Sequence, residues 1–381
     1  MEKAKLSVIQ LFAMMFMFDM GTALVISYGI SAKKDAWFAI LLSMAAGILL
    51  FFIYYLLFKQ YPNLPLTGYI RKIFGKYLGW LMGFFYVLYF LHISSKNIRE
   101  LGDLLVSSTL PETPLLAIII PLVLAICYVL YMGIEVLART SEVFIVILFL
   151  FGIAGNFFVL VSGSVEFHNL RPFLEDGWKP ILDTVFPYTI TFPFGEMIAF
   201  AMLLPLLNKA KYVKKVWLSA LIASGLILSW TVSLNIAVLG VEITERASFP
   251  TLSTVSKINL MDFIQRLDAI VVFTLLITVF FKASIYIYVA VAAISDLFGL
   301  KNHYRIVFPI GIIIIYLSMI NSSNIPEHSE EGQLEAYYLH LPLTIILPLV
   351  MLLFAYIKNF FKKKKQPKSD KEENFSENTK H

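Results

Sequence analysis

Residues 8–29 read VIQLFAMMFMFDMGTALVISYG. As a helix, this stretch is long enough to cross the roughly 30 Å apolar core of a bilayer. Its centre is unsuited to a plain helix. Asp19 carries a charge into the apolar run, and Gly21 follows with unusual backbone freedom. A second stretch, residues 184–207, reads TVFPYTITFPFGEMIAFAMLLPLL and carries Phe192-Pro193-Phe194-Gly195-Glu196 near its middle. Pro193 removes a backbone donor and Gly195 tolerates strained angles, so this helix also opens midway. Matched interruptions in two apolar stretches are the mark of transporters built from inverted repeats, which break the first helix of each half to bind substrate.

The rest of the chain supplies the other spans. Of its residues, 59% are hydrophobic and 15% charged, more apolar surface than a soluble domain of 381 residues hides. Apolar stretches fall at about 8–29, 36–58, 78–105, 115–132, 142–162, 184–207, 213–240, 264–294, 305–321 and 341–361. The third and eighth are long enough to protrude or tilt. The fold expected is all-α: a membrane bundle over 1–361, divided five plus five, with the first and sixth helices broken. A basic and polar tail over 362–381, opening with Lys362 to Lys365, is expected to be disordered and cytoplasmic. That basic run reads as a membrane-edge anchor and not as a nucleic-acid site.

Charge fixes the expected orientation. With the N-terminus inside, the inner segments hold Lys59, Arg71, Lys72, Lys76, Arg139, Lys209, Lys211, Lys214, Lys215, Lys301 and Arg305. The segment 323–340 then lies outside with Glu327, Glu330, Glu331 and Glu335 and no Lys or Arg. Both termini are therefore expected in the cytoplasm. The single Cys127 permits no internal disulfide, and the six His show no metal-ligand spacing. No P-loop, HExxH motif or Ser-His-Asp arrangement appears, so neither an enzyme nor a cofactor is expected.

Ionisable groups inside a span are costly and are read first as functional. Asp19, Glu196 and Lys282 stand near span centres. An opened helix leaves N–H groups on one side and carbonyls on the other, suited to a carboxylate and an ammonium. The candidate ligand site is thus Asp19, Gly21, Thr22 and Ala23 with Phe194, Gly195 and Glu196. Lys282 is the candidate internal cation, against the plainer reading of a structural ion pair. On the third span, Lys96, Arg99 and Asp103 are candidates for the wall of an outer vestibule, or simply a solvated end with i,i+4 pairs Lys96–Glu100 and Arg99–Asp103. His92, one turn below, reads as a packed hydrogen-bonding residue. Gly75, Gly79 and Gly83 form a row for close helix approach. Glu135 and Arg139 suggest a small amphipathic helix at the inner face.

Several stretches together resemble one family. They are Gln10 through Gly21-Thr22, Leu110-Pro111-Glu112-Thr113-Pro114, Gly133-Ile134-Glu135-Val136-Leu137-Ala138-Arg139, Phe194-Gly195-Glu196-Met197, and Phe281-Lys282. The chain resembles the GerAB-like B-subunit spore germination permeases, a branch of the amino acid–polyamine–organocation superfamily. The resemblance covers about residues 1–361. It implies a LeuT-like fold and a germinant-receptor subunit of the spore inner membrane, sensing a small nutrient such as an amino acid beside A and C subunits. It also implies that the Lys282 ammonium stands where related transporters hold sodium between the first and eighth helices. An active amino-acid or small-solute permease remains open beside the receptor. A membrane acyltransferase built on His92 lacks a second catalytic group.

Overall fold

The computed structural model describes residues 5–26, 28–257, 268–321, 332 and 334–365. Among these, nine helices are long and apolar enough to span a membrane, and Val8–Met20 is a shorter tenth. We number the helices α1 (Val8–Met20), α2 (Ala36–Gln60), α3 (Leu66–Phe74), α4 (Lys76–Ser108), α5 (Leu115–Met132), α6 (Ile134–Val161), α7 (Trp178–Thr184), α8 (Val213–Leu239), α9 (Val241–Arg246), α10 (Pro250–Ser256), α11 (Asp268–Phe298), α12 (Val307–Ile320) and α13 (Leu347–Lys365).

The first span is a short helix followed by irregular backbone. Ser7 starts α1 with a capping box: the Gln10 N–H donates to Ser7 Oγ at 3.1 Å, and the Ser7 N–H donates to Gln10 Oε1 at 2.9 Å. The helix ends at Gly21, whose φ of 36° and ψ of −134° lie where a side chain is strained. One tight turn, Thr22–Leu24, follows. Such backbone survives at membrane depth only when protein surrounds it. Met20, Gly21, Thr22, Ala23 and Val25 are all buried.

The sixth span is broken too, at Phe192 within the expected Phe192–Glu196 stretch and also earlier, at Phe186. It begins at Trp178, runs through wide turns over Val185–Phe194, and tightens over Gly195–Met202. Phe192 is extended, with φ −119° and ψ 125°. Gly195 is helical, with φ −68°. The ring of Pro193 clashes with a helical residue before it, so the opening falls at Phe192. The freedom of Gly195 is used for close packing instead. The start of span one meets the end of span six in a parallel bridge: the Leu6 N–H donates to the Leu206 carbonyl at 2.9 Å, and the Asn208 N–H to the Leu6 carbonyl at 3.0 Å.

The long third and eighth spans, α4 with 33 residues and α11 with 31, pack along each other. At 1.5 Å per residue each exceeds the bilayer core by a third or more. Gly79 lets α4 press on the backbone of α3, where an added Cβ would lie 2.5 Å from Arg71 Cα. Gly83 makes room for Leu297 of α11. Gly75, with φ +90°, turns the chain from α3 into α4 and packs against nothing. The amphipathic helix at this end is α3, which buries Leu66, Tyr69 and Ile70. Glu135 and Arg139 form no separate helix. They are the first turns of α6, which starts at Gly133 because that residue's φ of 110° restarts the helix. The backbone of α13 runs to Lys365. Residues 366–381 lie outside the described residues.

Outer helices expose apolar side chains, as a hydrocarbon solvent requires: Val143, Val146, Leu150 and Ile153 on α6, Ile312 and Tyr316 on α12. Helix α11 is buried almost continuously from Ile277 to Val291. The centre of the bundle is therefore α1, the sixth span and α11.

Candidate functional site

Three charges meet at that centre. Lys282 of α11 is fully buried, and its Nζ lies 2.6 Å from Oε2 of Glu196, itself 1% exposed. The ammonium also sits 4.5 Å from the ring centre of Phe192 and 5.3 Å from that of Phe18, each presenting a negative π face. Asp19, in the last turn of α1, is fully buried within electrostatic reach of both members of the pair. Its Oδ2 accepts from Ser224 Oγ of α8 at 2.7 Å. Its Oδ1 has no partner among the described residues, and neither has Thr22 Oγ1.

Gly21 is fixed by this arrangement as much as by its backbone angles. A Cβ there would lie 2.5 Å from Lys282 Cδ and 3.2 Å from Nζ. Its N–H closes α1 on the Met17 carbonyl at 3.0 Å, so it is not free for a ligand. Its carbonyl accepts from Thr278 Oγ1 of α11 at 3.0 Å. Lysine and threonine, one helical turn apart on α11, thus grip the break in α1 from one side.

The residues expected at the site divide. Asp19, Gly21, Glu196 and Lys282 converge, and Thr22 and Ala23, next along the chain, are buried. Phe194 and Gly195 face away. Phe194 fills the space above Gly47 of α2. The Gly195 carbonyl accepts from Tyr54 Oη at 3.2 Å, and a Cβ on Gly195 would meet Thr344 Oγ1 at 3.0 Å. They pack the sixth span against the second and tenth. Phe18, Phe192, Ser224, Thr278 and Tyr286 were not singled out. Tyr286 neighbours Glu196 and lies four residues after Lys282, so the i,i+4 rule pointed to it. A lone serine in the apolar α8 gave no such signal.

The outer group of the third span is organised across the bundle. Lys96 Nζ reaches Glu335 Oε2 at 2.5 Å, a pairing with the start of the tenth span that spacing along its own helix did not point to. His92 Nε2 lies 2.8 Å from Glu335 Oε1. Glu335 directly precedes the tenth span, which starts at Ala336 and not at 341. Burial alone would raise its carboxyl pKa, but the His92 hydrogen bond and the Lys96 ammonium outweigh this and bring it to about 2. Arg99 does pair with Asp103, at 2.9 Å, and also donates to the carbonyls of Ser318 and Asn321 that end α12. Glu327, Glu330 and Glu331 lie outside the described residues. Among the described residues, no cluster of three His, Cys, Asp or Glu suits a metal ion.

Solved structures place this architecture. The chain superposes with a TM-score of 0.70 on Mhp1, a nucleobase–cation symport-1 family transporter in a closed conformation with bromovinylhydantoin bound, covering 92% of this chain and 78% of that one at 12% identity. It superposes with a TM-score of 0.65 on MhsT in complex with L-phenylalanine, covering 91% and 88% at 16% identity. The protein is a multi-pass membrane protein of the LeuT-like, five-plus-five inverted-repeat fold. Its sequence belongs to the family of spore germination proteins, whose model matches residues 5–326. It is 40% identical to spore germination protein KB of Bacillus subtilis over 98% of this chain and 99% of that protein. It is 26% identical to spore germination protein A2 of the same organism over 75% and 77%.

Proposed function

We propose that this chain is the nutrient-sensing B subunit of a spore germinant receptor. In this reading it keeps the transporter fold and binds a small amine-bearing germinant, such as an amino acid, at the break of α1. The observation that carries it is the charge count of the buried centre. Two carboxylates, Asp19 and Glu196, face one ammonium, Lys282; Glu196 Oε2 lies 2.6 Å from that ammonium, whereas Asp19 Oδ1 has no partner among the described residues. A low-dielectric site of this kind is neutralised by one further positive charge, a proton or a cationic group. A ligand ammonium on Asp19 Oδ1 supplies that charge, and the buried, unpartnered Thr22 Oγ1 is a further candidate contact. Lys282 meanwhile acts as a fixed internal cation against Gly21, so binding needs no sodium. The solved relative with L-phenylalanine bound supports an amino-acid-sized occupant for this fold. The family resemblance supports A and C subunits as partners and the spore inner membrane as the location.

The test is thermal unfolding of the purified protein in sodium-free nanodiscs, against amino acids, nucleosides and sugars. A specific amine-bearing compound should raise the unfolding temperature by linkage. Asp19→Asn keeps an acceptor for Ser224 but loses the charge, and should abolish the shift. A shift only with compounds lacking an amine, or one unchanged in Asp19→Asn, overturns the assignment. The second reading, an active permease, is favoured by the fold shared with solved transporters over 91–92% of the chain. Labelled-ligand uptake into proteoliposomes separates the two: accumulation would make the protein a permease, binding without accumulation a receptor.

A further inference from the structure

A cavity of about 340 Å³ opens between α1, α6, α8, α10 and α11, away from the charged centre. Neither Asp19, Glu196 nor Lys282 lines it. Its floor is buried: Met20 is 2% exposed, Val25 0% and Val159 2%. At its mouth stand Phe149, Ile153 and Trp230, exposed on the outward faces of α6 and α8. Those faces are apolar and belong to helices long enough to span, so hydrocarbon is the solvent at this mouth. The volume is within the roughly 300–1,000 Å³ common to ligand sites.

The polar groups around the cavity are already engaged. Thr251 Oγ1 donates to the Leu24 carbonyl at 2.8 Å, and Thr254 Oγ1 to Asn235 Oδ1 at 2.9 Å. Asn235 Nδ2 donates to Thr251 Oγ1 at 3.0 Å, and Trp230 Nε1 to Asn156 Oδ1 at 2.6 Å. A polar ligand would lose its hydration here and gain little in return, whereas an alkyl chain loses nothing. Two glycines widen the space on the α6 side. An added Cβ on Gly152 meets nothing within 4 Å, and one on Gly155 meets only Ile270 Cγ2 at 3.9 Å.

We propose that this cavity is a lipid site that takes one acyl chain of a bilayer phospholipid. The seated chain lies against Met20, Leu24 and Val25, which flank the break at Gly21. Thr278, which holds the Gly21 carbonyl, lines the same cavity. The lipid thus packs beside the irregular part of the first span, at the residues that follow the break.

The full-length protein, in nanodiscs containing phosphatidylcholine with a diazirine midway along one acyl chain, is irradiated and its adducts are mapped by mass spectrometry. Peptides covering 148–156 and 227–234 should carry adducts several-fold above the peptide of α12 containing Ile312 and Tyr316, which is equally lipid-facing but has no cavity. Gly152→Phe and, separately, Gly155→Leu fill the space and should each cut the cavity adducts several-fold, leaving those on α12 unchanged. Equal labelling of cavity and α12 in the wild type, or cavity labelling unchanged in both folded variants, overturns the site. If neither variant folds, the wild-type ratio alone decides. None of these readouts involves a germinant, so the result stands apart from the receptor assignment.

Discussion

A lysine fully removed from water survives as an ammonium only beside a negative partner, and Lys282 has Glu196 at 2.6 Å and two aromatic faces. Breaking such a pair from one side leaves an uncompensated buried charge, which costs about 3–5 kcal/mol, while replacing both partners by apolar groups is often neutral. Lys282→Met should therefore lower the unfolding temperature and the membrane abundance clearly. The double variant Lys282→Met with Glu196→Met should recover most of the loss. A single variant that melts like the wild type, or a double variant no better than the single, would show that the pair is not what holds the sixth span to α11. That Asp19, Glu196 and Lys282 are buried charges was legible in the sequence, because each interrupts an apolar span. Which of the two acids takes the lysine was not. That choice depends on how α1 and the sixth span are rotated about their axes, and apolar runs surrounded by protein carry no periodic polar face to reveal rotation. The same gap hid Phe18, Ser224 and the place of Phe192 against the lysine, and it hid the packing of Phe194 and Gly195 on the second and tenth spans.

Between elements, the latch of Lys96 and His92 on Glu335 joins the third span to the tenth. Its charge was legible, but its partner was not, because Glu335 reads as part of an acidic loop and local spacing favours Glu100. The Glu335 carboxyl is held at about 2, well below its ordinary 4.5, a difference worth roughly 3 kcal/mol. A depressed carboxyl stabilises the folded state above its unfolded pKa, and the contribution fades as pH falls from about 4.5 toward 2. The wild type should thus lose unfolding temperature steeply as pH falls through this window. Glu335→Gln should start lower at pH 7 and lose less over the same window. Parallel profiles for the two proteins would show that some other carboxylate carries the acid sensitivity. The helix breaks teach a related lesson. Their existence followed from Gly21 and Pro193, but the wide turns of the sixth span did not, since those turns depend on neighbours that pack from the second and tenth spans.

Across the whole molecule, the span count and the pairing of the two ends are tied together by contacts far apart in sequence. At one end, the Lys5 N–H donates to Glu135 Oε1, Leu6 pairs with Leu206 and Asn208, Arg71 meets Asp296, and Lys358 Nζ donates to the Lys72 carbonyl. The segments that precede span one and follow spans two, four, six, eight and ten therefore share a side. At the other end, Lys33 pairs with Asp176 and Lys34 with Glu175, so the segments after spans one and five meet there. This is the parity that ten spans require, and adding or losing one span would break it for everything downstream. The first end also gathers Lys59, Arg71, Lys72, Lys76, Lys209, Lys211, Lys214 and Lys215, and on the positive-inside rule we propose that it is the cytoplasmic one. Single-cysteine labelling tests this, because Cys127 is the only native thiol, is buried and can be replaced by Ser. In intact cells expressing the protein, Asp176→Cys should react with a membrane-impermeant maleimide. Asn208→Cys, on an exposed residue beside the first span, should react only after lysis. The inverse pattern at both positions would turn the molecule over and put the Lys96–Glu335 latch on the cytoplasmic face. Equal reactivity at both in intact cells would place the two segments on one side and contradict the ten-span fold itself.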